Sequence, residues 1–151
     1  MKVVFVCWGN ICRSPMAERV ARQVFADERL DVDVTSAAVS SEELGAPMDA
    51  RAARVLRGAG YDASGHRAHR ITADEIRGAD LVIAAEQLHI DRMLRLVPDA
   101  DNLHLINDFN PAMRPGTPLA DPWYGPESGF LDTLADIEAA MPGVVAEVRG
   151  R

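Results

Sequence analysis

Val3-Val4-Phe5-Val6-Cys7-Trp8-Gly9-Asn10-Ile11-Cys12-Arg13-Ser14-Pro15 is the stretch whose reading decides the fold. A short apolar run ends on a cysteine, a loop with Gly9 and Asn10 follows, and Ser14-Pro15 marks a helix start. The pattern is strand, tight loop, helix. Between Cys7 and Arg13 the loop can curl with successive backbone N–H groups turned inward, and the helix behind adds its positive dipole end. Such a nest suits a dianion. Gly9 permits close backbone approach and positive φ, Asn10 is the non-glycine type that best tolerates left-handed geometry, and Arg13 can hold two phosphate oxygens at once. A sulfur beside a guanidinium at a helix N-terminus is favoured as thiolate. Ser14 is placed to give that sulfur a hydroxyl proton, and it also reads as a helix cap before Pro15. On the reactive reading Cys7 attacks phosphorus, forms a cysteinyl phosphate and expels an alcohol or phenol.

That leaving group needs a proton, so a carboxylic acid is expected on a loop over the nest. Asp121-Pro122-Trp123-Tyr124-Gly125 supplies it, inside a stretch from Asn107 to Pro126 that holds five of the nine prolines and reads as a long loop. Pro122 fixes the backbone after Asp121. Trp123 and Tyr124 offer a wall for a substrate ring, and Trp8 a facing wall.

Working outward, Met16 to about Leu30 has helical spacing at Val20, Val24 and Phe25, and Asp31 to Thr35 alternates as a strand. Ser36 to Gly45 has turn residues and no period. Asp49 caps a helix to about Gly58 that Gly60 stops, and Thr72 opens a short helix to Gly78. Leu81 to Ala85 reads as a buried strand, a helix runs from near Leu88 to before Pro98, and Leu103 to Ile106 is a last short strand. Ser128 caps a final helix with Phe130, Leu134, Ile137 and Met141 on one face, expected to bend or break at Pro142-Gly143. Strands alternate with helices four times. The fold class is therefore α/β: a single domain over residues 1–151, three layers, with helices on both faces of a parallel sheet and ligands beyond the carboxyl ends of its strands.

An apolar content of 48% in 151 residues is enough for one core. A net charge of −7 and a pI near 5.0 argue against nucleic acid or an anionic membrane as partner, so any anion site is local. The apolar run after Met1-Lys2 is too short for a signal peptide's core or a membrane span. The expectation is a cytoplasmic protein with no membrane insertion, although leaderless export would leave no mark. Cys7 and Cys12, the only cysteines, share a six-residue window and are no secreted disulfide framework. His69, His89 and His104 lack metal-like spacing and read as surface or partly buried residues. No metal or other cofactor is expected.

With these residues on the page, the chain resembles the low-molecular-weight protein tyrosine phosphatases. The resemblance is carried by Val6-Cys7-x-Gly9-Asn10-Ile11-Cys12-Arg13-Ser14-Pro15-Met16-Ala17-Glu18, Ser36-Ala37-Ala38-Val39-Ser40, Asp49-x-Arg51-Ala52, His66-Arg67-Ala68 and Asp121-Pro122-x-Tyr124-Gly125, in the family's order. It implies a four-stranded parallel sheet and metal-free hydrolysis of phosphotyrosine on a protein or peptide. It implies Cys7 as nucleophile, Arg13 as phosphate clamp, and Asp121 as general acid and later base. Trp8, Gly9, Asn10, Ile11, Cys12 and Ser14 would complete the phosphate-binding loop, with Ser14 stabilising the thiolate. Asn10 would be locked in its strained shape by Ser36 and His66. Cys12 would be able to trap an oxidised Cys7 as a disulfide; from the residues alone it reads equally as plain packing. A cognate tyrosine kinase is the expected counterpart, and a monomer the expected state.

Two segments depart from the family pattern. Where an aromatic often lines the cleft this chain has Ser41-Glu42-Glu43-Leu44, so carboxylates are expected to repel acidic phosphopeptides and to weaken one wall of the rim that Trp8, Glu42, Trp123 and Tyr124 form. Ala84-Ala85-Glu86 stands in place of a larger apolar residue and Asp. Arsenate reductases on a similar loop use further cysteines near Ala84 to His89, and none is there. Protein arginine phosphatases on this scaffold carry a small polar residue where Ile11 stands. A non-catalytic phosphate-binding module has no need of Cys7 and Asp121 together. A magnesium-dependent nucleotide loop is excluded, because Gly-Lys-Ser/Thr is missing.

Overall fold

The computed structural model describes residues 1–151. Strands β1 (Lys2–Cys7), β2 (Asp33–Ala38), β3 (Leu81–Ala84) and β4 (Leu103–Leu105) form one sheet in the order β2-β1-β3-β4, all pairs parallel. β1 is where the order reverses, with β2 on one side and β3 on the other. Its last residue, Cys7, lies opposite Ala38 of β2, and Val6 lies opposite Ala84 of β3. The crevice beyond the carboxyl ends at such a switch point is where open α/β sheets bind ligands.

Alternation along β1 divides the core. Val3, Phe5 and Cys7 pack with residues of α1 (Arg13–Asp27), α2 (Ala50–Gly58) and α5 (Ser128–Arg149). Val4 and Val6 pack with Ile76 of α3 (Ala73–Gly78) and Met93 of α4 (Gln87–Leu96) on the other face. These are the three layers that the alternation of strands and helices led to. Asp49 caps α2 by accepting from the amides of Arg51 and Ala52, and Thr72 with Glu75 forms a reciprocal capping box on α3.

Five details differ from the sequence reading. α1 begins at Arg13 rather than Met16, so Ser14 lies in its first turn and is not the cap; Cys12 holds that position without a side-chain bond. β2 extends past Thr35 to Ala38, because Ser36, Ala37 and Ala38 are buried and pair with Phe5, Val6 and Cys7; a strand buried on both faces shows no alternation. A 3₁₀ turn at Ile106–Phe109 follows β4 where a loop was expected, and Ser128 is the first helical residue of α5, with Glu127 at the cap. α5 is not broken at Pro142. Met141, Val144, Val145 and Val148 are buried on both sides of it, and that burial offsets the roughly 3 kcal/mol that an interior proline costs. Gly143 has its own reason, since a Cβ there would stand 2.5 Å from the Phe109 carbonyl oxygen. No helix is long and apolar enough to cross a membrane.

Candidate active site

The backbone of the loop from Cys7 to Arg13 is tied down through its carbonyls. Those of Cys7, Trp8, Ile11 and Cys12 accept from the amides of Val39, Ser40, Asp49 and Met16 at 3.1, 3.1, 2.9 and 3.1 Å, and that of Asn10 lies 2.6 Å from His66 Nε2. None of the amides from Trp8 to Arg13 has a protein acceptor. Backbone donors are rarely left unpaired in a folded chain, so a loop with its acceptors satisfied and its donors free is built to receive an anion.

Asn10 is the keystone. It is fully buried with φ at 60°, the left-handed region. Its Oδ1 accepts from the His69 amide at 3.2 Å, which orients the side-chain amide so that Nδ2 donates to Ser14 Oγ at 2.8 Å and Ser36 Oγ at 3.0 Å. Ser36 Oγ in turn donates to Glu18 Oε1 at 3.0 Å, because an ionised carboxylate can only accept. Every proton is thereby directed. Ser14 Oγ, already accepting from Asn10, has its own proton free for Cys7 Sγ at 3.0 Å, nearer than its alternative, the Ala37 carbonyl at 3.4 Å. The Ser14 amide lies 3.4 Å from the same sulfur. Burial holds His66 below the usual histidine range, so its ring is neutral at neutral pH and its Nε2–H donates to the Asn10 carbonyl.

Arg13 is buried, and its Nη1 donates to Glu86 Oε2 and to the Leu119 carbonyl, both at 2.7 Å. These two bonds fix the guanidinium plane. Nη2 faces Asp121, whose Oδ2 lies 3.7 Å away. Asp121 remains partly exposed, its Oδ1 accepting from the Trp123 amide at 3.1 Å, a turn that aims the carboxylate toward the loop. Arg51 ties this segment to α2. It is paired with Asp49 at 3.1 Å, donates to the Trp123 carbonyl at 3.3 Å, and lies 5.3 Å above the Trp123 ring and 4.7 Å above Phe130.

The residues expected to meet are brought together. One cavity of about 300 Å³ is lined at its base by Cys7, Gly9, Ile11, Cys12 and Arg13, and on its sides by Trp8, Glu42, Glu43, Asp121, Trp123 and Tyr124. Ser14, Asn10, Ser36 and His66 lie behind the loop, as supports. Tyr124 is 91% exposed and Trp123 40%, which places both on the rim and not in the core. Glu43 packs on the loop itself, since a Cβ on Gly9 would stand 3.3 Å from its Cγ. Cys7 and Cys12 are both free thiols; burial first, and then the charge of Asp49, push the Cys12 thiol well up from its ordinary range and keep it protonated. A groove of about 380 Å³ between α1 and α5 is lined by Val20, Val24 and Met141 among others and holds no cysteine, serine or histidine.

His89 corrects the reading of the histidines. It is buried in α4 with Nδ1 unpartnered, and burial, then the neighbouring Arg13 charge, hold it at about 4. Four contributors to the site have no role assigned from sequence: Glu18, Arg51, Glu86 and the Leu119 carbonyl. Glu18 and Arg51 stand inside the quoted motifs, and Glu86 was noticed as a departure. Only their partners reveal their roles, and the Leu119 carbonyl carries no side-chain signal at all.

A four-stranded parallel sheet with a cysteine, an arginine and free loop amides at its switch point defines an α/β protein whose site sets a nest of unpaired backbone donors and a guanidinium around a thiol. Over residues 2–151 the chain matches the low molecular weight phosphotyrosine protein phosphatase family. Low molecular weight protein-tyrosine phosphatase A of Mycobacterium tuberculosis is 39% identical over 149 residues, 95% of this chain and 89% of that protein. The mouse low molecular weight phosphotyrosine protein phosphatase is 32% identical over 134 residues, 85% of this chain and 83% of that one. The crystal structure of a protein tyrosine phosphatase from Entamoeba histolytica superimposes with a TM-score of 0.93 at 27% identity, covering 99% of this chain and 97% of the other. The chain belongs to the low molecular weight phosphotyrosine protein phosphatase family.

Proposed function

We propose that the protein hydrolyses phosphotyrosine on a protein or peptide in two steps, with residues 1–151 acting as one catalytic domain. The phosphoryl group sits in the loop with its oxygens on the free amides of Trp8 to Arg13 and on the Arg13 guanidinium. Cys7 Sγ attacks phosphorus from below, the bond from phosphorus to the phenolic oxygen breaks, and Asp121 gives its proton to the departing phenolate. Asp121, now a carboxylate, takes a proton from water as that water attacks the cysteinyl phosphate, and inorganic phosphate leaves with Cys7 restored as thiolate. Ser14 favours the thiolate in both steps. No other chain is required, because every group in this sequence comes from one.

The observation that carries the reading is the polarity of the loop: carbonyls tied outward, amides free, and the sulfur at the centre receiving the Ser14 proton. Asp121 distinguishes an esterase from a binding module, since a carboxylate 3.7 Å from the anion's clamp serves no purpose in binding a dianion. Reduction of arsenate is disfavoured, as no cysteine besides Cys7 and Cys12 is present to relay a disulfide. The apolar Ile11 at the base and the aromatic rim of Trp8, Trp123 and Tyr124 suit an aryl phosphate better than phosphoarginine. A cognate tyrosine kinase would then supply the substrate. A side-by-side assay on phosphotyrosine, phosphoserine and phosphoarginine peptides, with arsenate as a fourth substrate, tests this. Phosphotyrosine is expected to turn over fastest, and preferential turnover of any of the other three overturns the assignment.

A further inference from the structure

Outside the site, one concavity gathers positive charge. Arg70, Arg92 and Arg95 line a cavity of about 170 Å³ with Val39 and Leu96 as its apolar part. Arg92 and Arg95 come from α4, and Arg70 from the segment bridged to Ala38 at the end of β2. None of the three has a carboxylate partner; Arg29, Arg57, Arg67, Arg77 and Arg114 are unpaired too, but they line none of the cavities described, whereas these three converge on one hollow. In a chain with 23 acidic and 16 basic residues, three unpaired guanidinium groups around one hollow run against the composition and repel one another. An anion removes that repulsion.

The hollow adjoins the candidate active site through two links. Arg92 lies 4.8 Å above the centre of the Trp8 ring, and Trp8 is a wall of the site cavity. The amide of Val39, which lines the arginine cavity, donates to the carbonyl of Cys7 at 3.1 Å. Trp8 thus stands between the two hollows, and a peptide that leaves the site across the Trp8 ring meets Arg92 first. Glu42 and Glu43 make a different wall of the same cavity acidic, so a second negative charge on the substrate is disfavoured there and favoured here.

We propose that the Arg70, Arg92 and Arg95 cavity is a second phosphate site, which takes another phosphorylated side chain of the peptide whose phosphotyrosine enters the loop. Guanidinium forks bind phosphate oxygens in pairs, and clusters of them are a recurring means of reading phosphorylated sequences. The site gives the enzyme a preference for multiply phosphorylated segments. It rests on the phosphatase reading for its place in turnover, though not for binding.

The test uses peptides with phosphotyrosine and a phosphoserine placed at each position up to four residues away on either side, with serine and aspartate counterparts. For the best spacing the wild type is expected to show kcat/KM about tenfold above the serine peptide, the factor that one charge-assisted bond supplies. The aspartate peptide should fall between. The variant R70A/R95A is expected to bring the two peptides within about twofold of each other while p-nitrophenyl phosphate and the serine peptide turn over as before. Equal kcat/KM at every spacing in the wild type, or an advantage that survives in the variant, overturns the proposal. Binding of the same peptides to Cys7→Ser protein reads the arginine cavity without chemistry, so failure of the wild type to turn over p-nitrophenyl phosphate counts against the phosphatase reading alone. Equal peptide binding together with arginine-dependent sedimentation on phosphatidylserine vesicles assigns the cavity to a lipid headgroup and overturns the proposal.

Discussion

Ser14→Ala separates a hydroxyl that serves the sulfur from one that serves only the fold. Ser14 Oγ lies 3.0 Å from Cys7 Sγ and accepts from Asn10 Nδ2 at 2.8 Å. Without it the sulfur keeps the Ser14 amide at 3.4 Å as its only recorded donor, and loses a charge-assisted bond of about 1.5–3 kcal/mol. At about 1.4 kcal/mol per factor of ten, kcat/KM is expected to fall about ten- to a hundredfold. Asn10, fully buried, loses one acceptor for its amide, which costs about 1–3 kcal/mol of stability. Ser36→Ala is the control, since it removes the other acceptor of Asn10 and the link to Glu18 without touching the sulfur. The assay pairs p-nitrophenyl phosphate turnover and iodoacetamide alkylation of Cys7 with urea unfolding. Ser14→Ala should lose rate and stability, and Ser36→Ala mainly stability. If Ser14→Ala is destabilised yet alkylates and turns over at the wild-type rate, the directed chain of protons from Asn10 through Ser14 to Cys7 is wrong.

Three further outcomes follow from other parts of the structure. Asp121→Asn should lower kcat/KM on phenyl phosphate by about 10²–10⁴ and on p-nitrophenyl phosphate far less, and an equal loss on both removes Asp121 as the acid. Gly143→Ala forces a methyl to within 2.5 Å of the Phe109 carbonyl and should cost about 1–3 kcal/mol in urea unfolding; a change below about 0.5 kcal/mol contradicts the close approach of α5 to the turn after β4. His89 sits at about 4 when folded against about 6.5 when unfolded, so the unfolded chain takes up the proton first as pH falls. Its contribution is complete above about pH 6.5, is about 2 kcal/mol smaller by about pH 5, and levels off below about pH 4. His89→Phe should flatten that part of the stability profile, and an unchanged slope rules the histidine out as its source.

The sequence was most legible where local chemistry decides structure. Asp49 and Thr72 cap helices because a short oxygen-bearing side chain at that point has few alternatives, and β1 announced itself as an apolar run with a cysteine at its end. The loop's residue types pointed to an anion for the same reason. What long-range packing decides was not legible. Ser36 to Ala38 read as turn because a doubly buried strand has no alternation, and α5 passes through Pro142 because the core holds it on both sides. Glu86 is 73 residues from Arg13 and the Leu119 carbonyl is 106, so no local pattern links them. Glu18 lay inside a quoted motif, but its part in setting the direction of the protons appears only once Ser36 is placed against it.

The central claim is that Cys7 carries the phosphoryl group between two half-reactions. Asp121→Asn protein supplied with p-nitrophenyl phosphate isolates it, because that leaving group departs without an acid while the attacking water still lacks its base. Acid quenching during turnover, followed by mass spectrometry of the peptide that holds Cys7, should find one phosphoryl group on that sulfur, and none in the same protein with Cys7→Ser. Steady turnover with Cys7 unmodified, or with the phosphoryl group on another residue, contradicts the account.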